Sequence, residues 1–138
     1  MKKLLLLFMA FLFTTTYAQK KSDFYGKWKG KDEKEGIGYF KFTKDGFAYM
    51  LMNGQEKGGP SYQNGETTES LTYKVNLKKK SGELQLIFTD TETEESYIIS
   101  FLLRFLNKNE IKVASNFSEE KPTDFTDDNS FILKKVEE

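Results

Sequence analysis

The stretch Phe40-Lys41-Phe42-Thr43-Lys44-Asp45-Gly46-Phe47-Ala48-Tyr49-Met50 leaves the backbone few options. Two runs that alternate large apolar residues with other types flank Asp45-Gly46. Alternation with period two is the signature of a strand, whereas a helix needs an apolar period of 3.6. A type I turn over Thr43–Phe47, with Gly46 in the left-handed bulge position, pairs Phe42 with Ala48 and Phe40 with Met50. One face then carries Phe40, Phe42, Ala48, Met50 and Met52. The reverse face carries Tyr39, Lys41, Thr43, Phe47, Tyr49 and Leu51, a mixed set, so the first face is the inner one.

Two further turns select inner faces in the same way. A two-residue loop at Ser81-Gly82 pairs Lys80 with Glu83 on one face and sets Leu77 against Leu86 and Val75 against Phe88 on the other. Asn107-Lys108-Asn109, with Asn109 in the left-handed region, pairs Phe105 with Ile111 and Leu103 with Val113; its reverse face joins Leu106 to Glu110 and Arg104 to Lys112. Turn chemistry and apolar alternation agree in all three hairpins, as expected of a sequence that specifies one fold.

Extended along the chain, the pattern predicts an all-β domain of eight strands, at residues 26–32, 36–43, 47–53, 68–79, 83–90, 95–106, 110–115 and 129–136. Tight turns between neighbours imply an antiparallel meander, closed as an up-and-down barrel or stacked as a sandwich; closure removes the exposed edges. Pro60 and Pro122 fall outside the predicted strands, where no ladder donor is lost. Two long connections, Asn53 to Thr67 and Asn116 to Asn129, are expected to be loops. The glycine-rich stretch Asn53–Ser61 lacks the strand-to-helix context of a phosphate loop and reads as a lid at the barrel mouth.

The first 18 residues are expected to be removed. Lys2 and Lys3 precede an apolar run, Leu4 to Phe13, and a tail with small residues at Thr16 and Ala18, which places a cut between Ala18 and Gln19. The apolar run is half the roughly 20 residues that a membrane span needs. No cysteine follows it to carry a lipid, so residues 19–138 are expected as one soluble domain, secreted or periplasmic. Loss of two lysines from 21 basic side chains leaves 19 against 21 acidic ones, a net charge of −2. That balance gives no field to gather nucleic acid or an anionic membrane. The chain has no histidine and no cysteine, which excludes imidazole triads, thiol nucleophiles and the usual zinc or copper sites. The expectation is a non-enzyme with no cofactor.

Gly26-Lys27-Trp28 opens the first strand and holds the only tryptophan. A Gly-x-Trp at this place before a meander resembles the lipocalin-like families of the calycin superfamily, small secreted bacterial members in particular. The hairpin Phe40–Gly46 and the segment Lys121-Pro122-Thr123-Asp124-Phe125 are similar to segments of those domains. The resemblance implies an eight-stranded barrel closed at one end by Trp28. Lipocalins commonly pack a late arginine over that ring; here the only arginine, Arg104, lies on an outward face, and Lys134 or Lys135 is left to take its place.

The inner face supplies the candidate ligand-binding residues Phe40, Phe42, Met50, Met52, Tyr73, Phe88, Phe101 and Phe105, with Tyr73 as the one polar contact. They describe either a calyx for a small hydrophobic molecule or a solid core. The outward aromatics Tyr39, Phe47 and Tyr49 mark either a protein-partner surface or rings covered by the Asn53–Thr67 loop. Two acidic clusters, Asp90–Glu95 and Asp124, Asp127, Asp128 with Asn129, lack the spacing of a calcium loop and are expected to be solvated turns. The leading expectation is therefore an exported barrel binding a small hydrophobic ligand, and the alternative is a solid-cored interaction module.

Overall fold

The computed structural model describes residues 20–30, 36–78 and 81–137; the predicted export segment lies outside them, as do the ends of two predicted strands and Lys80. A short helix, α1 (Lys21–Phe24), precedes β1 (Gly26–Gly30), β2 (Ile37–Phe42), β3 (Ala48–Met52), β4 (Gln55–Asn64), β5 (Thr67–Asn76), β6 (Gly82–Asp90), β7 (Ser96–Asn107), β8 (Glu110–Ala114) and β9 (Ser130–Val136). The strands form a closed up-and-down barrel in which β9 returns to β1. No helix among the described residues is long and apolar enough to cross a membrane.

The strand number corrects the sequence reading: nine among the described residues, against eight predicted. The added strand is β4, which occupies most of the expected Asn53–Thr67 loop. Its two ends carry hairpin signals, Asn53-Gly54 with φ of 51° and 78°, and Gly65 with φ of 64°. Between them, Gln55-Glu56-Lys57-Gly58-Gly59-Pro60 has no apolar alternation and few β-formers, so the side chains conceal a segment that pairs through its backbone. Pro60 thus lies inside a strand, at the register shift between Gly59 and Tyr62, where the ladder already lacks a donor.

Parity shows what β4 does. Every neighbouring pair in the ring, β9 with β1 included, is antiparallel. An odd number of straight strands cannot close that way, so one strand must reverse direction within itself. β4 is that strand. Its first arm pairs with β3 and its second with β5, and the two flanking strands meet directly at the antiparallel bridge Phe47↔Thr72. The corner is Gly58-Gly59, with φ of 144° and 80°. A Cβ on Gly58 would stand 2.3 Å from the Ala48 carbonyl oxygen and 2.5 Å from Tyr49 Cα, so only glycine permits this approach. The ring therefore closes as eight alternating directions with one folded stave.

The three predicted hairpins keep their inner faces, with two changes of register. Phe42↔Ala48 and Phe40↔Met50 pair as expected, with Gly46 at φ 94°. At the β5–β6 hairpin, Val75 pairs with Leu84 and Tyr73 with Leu86, not Val75 with Phe88 and Leu77 with Leu86. The turn is longer than two residues and the shift is even, which leaves every side chain on its predicted face. Glu83 consequently pairs with Asn76. In the β7–β8 hairpin, Phe105↔Ile111, Leu103↔Val113 and Arg104↔Lys112 pair as expected, but Asn107, not Leu106, faces Glu110 across a bulge. Asn109 is not left-handed; its amide donates to Asn107 Oδ1 at 2.9 Å.

One end of the barrel, the base, is sealed by aromatic packing. Trp28 and Phe24 are fully buried, and Trp28 Nε1 donates to the Phe24 carbonyl at 2.8 Å. Phe24 stacks on Phe42 at 4.3 Å, and Phe105 meets Trp28 edge-on at 6.1 Å. Lys135 lies with Nζ 5.4 Å from the Trp28 ring and donates to the Asp23 carbonyl at 3.0 Å, so a lysine occupies the place expected of a late basic residue. Arg104 is outward and exposed, stacked on Phe125. At the other end, the mouth, the turns at 53–54, 65–66 and 91–95 and the long connection 115–129 come together.

Candidate functional site at the barrel mouth

Five of the eight predicted lining residues, Phe40, Phe42, Tyr73, Phe88 and Phe101, are buried in the core. Phe40 stacks with Phe42 at 6.2 Å and meets Phe101 edge-on at 6.1 Å, so these rings pack together inside the barrel. Tyr73 belongs to the base: its hydroxyl donates to the Thr43 carbonyl at 2.6 Å, and burial, followed by the charges of its neighbours, pushes its pKa up to about 12. Phe105 is half-buried against Trp28. Only Met50 and Met52 face open space.

Those two thioethers line a half-open recess of about 430 Å³ at the mouth, with Asn53, Gln55 and Lys57. The register explains the set. Met50 is paired with Lys57 and Met52 with Gln55, and residues opposite one another in an antiparallel pair point to the same face. The first arm of β4 therefore brings a lysine and an amide to the inner side, beside the two methionines.

The second arm carries a polar relay that joins this lysine to a buried carboxylate. Lys57 Nζ donates to Asn64 Oδ1 at 2.8 Å, and Asn64 Nδ2 donates to Glu69 Oε1 at 2.9 Å. Tyr62 OH donates to the same Oε1 at 3.0 Å. Glu69 is 7% exposed on the inner face of β5. Burial, and then the hydrogen bond and charge of Glu69, raise the Tyr62 pKa well above the usual phenol value, so this hydroxyl keeps its proton as a donor. Tyr97, stacked on Phe88 at 4.7 Å, stands beside the network, and burial with the Glu69 charge raises its pKa as well.

The sequence reading identified none of Lys57, Tyr62, Asn64 and Glu69 as a binding residue; Lys57 entered it only as part of the Asn53–Ser61 lid. Glu69 was legible: it falls in step with Leu71, Tyr73 and Val75, so a carboxylate occupies an inward position of a strand. The other three lie on β4 and became inward only once that segment was known to be a strand.

Two larger depressions lie elsewhere, and the second of them is also lined by apolar rings, Phe117 and Phe131, beside a charge, Asp128. One of about 890 Å³ lies at the base, outside the wall, lined by Lys27, Lys108, Lys134 and Lys135 among others. Another of about 470 Å³ lies under the 115–129 connection, where Asn129 and Ser115 bond loop groups: Asn129 accepts from the Thr126 amide at 2.8 Å and Ser115 accepts from the Phe117 amide at 2.9 Å. The Met50–Met52 recess is the one of the three lined by predicted binding residues, and it sets them beside a cation, a combination that suits a small-molecule site.

The outward aromatics are each half-buried against a neighbour. Tyr39 donates to Glu56 Oε2 and lies under Lys27 Nζ, 4.0 Å from its ring centroid. Tyr49 packs against the Gly59 corner, and Phe47 joins the bridge to Thr72. In the first acidic cluster, Asp90 Oδ1 accepts from the amides of Glu92 and Thr93 and caps its own turn. Among the described residues no group of three or more carboxylates converges on a metal position. No family model, curated protein or solved structure matches this chain.

Proposed function

We propose that the protein is an exported, lipocalin-like barrel that binds a small hydrophobic molecule non-covalently, at its mouth rather than in its depths. The observation that carries this reading is the recess lined by Met50 and Met52, beside a core whose rings pack against one another. Its volume falls within the roughly 300–1,000 Å³ of small-molecule pockets, and flexible thioethers suit an apolar body of variable shape. The packed aromatic residues act as a rigid support. No catalytic step is assigned to the chain.

The test is titration of the mature protein with phenylnaphthylamine, a neutral apolar fluorophore. Saturable binding by the wild type, lost in Met50→Trp with the fold intact by circular dichroism, is expected. Absence of a saturable site in the wild type sinks the reading.

The alternative, an interaction module acting through Tyr39, Phe47 and Tyr49, draws support from the rings packed inside the barrel. It is weakened by the half-burial of all three rings. Under it, a Tyr39→Ser/Tyr49→Ser double variant would lose a partner that the wild type captures.

A further inference from the structure

We infer that the mouth recess selects ligands carrying an anionic head group on an apolar body, and that Lys57 is the residue that reads the charge, held in place by Asn64 and Glu69. This rests on the small-ligand reading above and specifies the ligand class.

Among the described residues, Lys57 is the one charged side chain that lines the recess. It is half-buried, and its ammonium donates to a neutral amide oxygen, Asn64 Oδ1. An ammonium has three donors. A lysine committed to structure at this depth would be expected against a carboxylate, because a half-buried cation held by a neutral group keeps much of its desolvation cost. Here the nearest carboxylate of the relay, Glu69, is one amide away.

Chemistry fixes the direction of the relay. The Glu69 carboxylate is an acceptor only, and Tyr62 and Asn64 Nδ2 both donate to its Oε1. With its nitrogen held there, Asn64 must turn its oxygen away, and the oxygen meets Lys57 Nζ. The amide thus aims the ammonium without neutralising it. Met50 stands directly opposite Lys57 across the β3–β4 ladder, so an apolar body resting on the methionines brings its end group beside the cation. The amides of Asn53 and Gln55 lie on the same rim. Asn64 and Glu69 are positioning residues in this scheme, and Lys57 is the contact.

The experiment compares two fluorophores of similar apolar body, the anionic anilinonaphthalene sulfonate and the neutral phenylnaphthylamine, on the wild type, Lys57→Met, Lys57→Arg and Asn64→Ala. Loss of a charge-assisted hydrogen bond in Lys57→Met is expected to weaken the sulfonate about tenfold or more, with the neutral probe changed less than about twofold. Lys57→Arg should restore the sulfonate, and Asn64→Ala should show a smaller loss confined to that probe. Equal sulfonate affinity in the wild type and Lys57→Met, or equal weakening of both probes, overturns the charge-reading role and leaves the recess as a plain apolar site. An unaltered sulfonate affinity in Asn64→Ala overturns the relay. A wild type that takes up neither probe overturns the ligand reading itself.

Discussion

Lys57 on β4 and Glu69 on β5 do not bond each other: Asn64 stands between them, its oxygen on the ammonium at 2.8 Å and its nitrogen on the carboxylate at 2.9 Å. A direct ion pair would neutralise both groups. The interposed amide orders them while leaving the lysine able to serve a third partner. The arrangement exists because β4 folds back on itself, so that residues seven apart in one strand face each other across its bend.

The glycine corner is expected to be the most sensitive backbone position. Gly58→Ala puts a methyl 2.3 Å from the Ala48 carbonyl oxygen at φ 144°, whereas a Cβ on Gly54 meets nothing within 4 Å. Gly58→Ala should cost about 2–4 kcal/mol and Gly54→Ala, at its positive φ, about 1 kcal/mol. Urea denaturation of the two variants measures the contrast, and equal losses would refute the close approach at the corner.

At the base, Trp28→Phe removes the donor to the Phe24 carbonyl and part of a fully buried ring system. A destabilisation of about 2–4 kcal/mol is expected. Lys135→Met should cost less, about 1 kcal/mol, because its contacts with Trp28 and Asp23 are half-exposed. The order of the two denaturation midpoints checks the assignment.

Alkaline stability follows from the buried phenols. Tyr73, near 12, and Tyr62, higher still, retain their protons in the folded state after the unfolded chain has begun to lose them near 10. The native state then binds more protons than the unfolded one, so their contribution to stability is complete below pH 10 and declines as pH rises toward 12. Tyr62→Phe and Tyr73→Phe should each flatten that decline. Folded protein should also show late tyrosinate absorbance at these two positions, and a wild-type stability that is level from pH 9 to 12 contradicts the prediction.

Within the packed core, Phe101 contacts both Phe40 and Phe117 and is 2% exposed. Phe101→Ala should cost about 3–5 kcal/mol, and probe binding at the mouth should fall with it as the packing loosens. Phe88→Ala, nearer the mouth beneath Tyr97, tests the same packing from the other wall. Calorimetry with a matched dye titration distinguishes loss of fold from loss of site.

The sequence was most legible where side chains alternate. Phe40 and Phe42 against Ala48 and Met50, and Leu103 and Phe105 against Val113 and Ile111, are paired as their turns require. Even where the β5–β6 turn was misjudged, the error was an even number of residues, and the inner set Leu71, Tyr73 and Val75 survived it. The predicted binding residues were inward as expected, but inwardness does not separate a packed ring from a lining one. Phe40 meets Phe101, whereas Met50, its partner across the β2–β3 ladder, pairs on its other side with Lys57 of β4 and lines the recess.

By itself, then, the sequence determined the all-β meander and the inner faces, since a period-two pattern with turn residues at its ends is a local property of the chain, while the place of Trp28 at the base was implied only by the family resemblance. Tertiary structure decided the ninth strand, the corner at Gly58-Gly59 and the Lys57–Asn64–Glu69 relay. A segment that pairs through peptide groups common to all residues shows no side-chain signature. Lys57 and Asn64 on the two arms of β4, and Glu69 on β5, form one relay only when β4 bends at Gly58-Gly59.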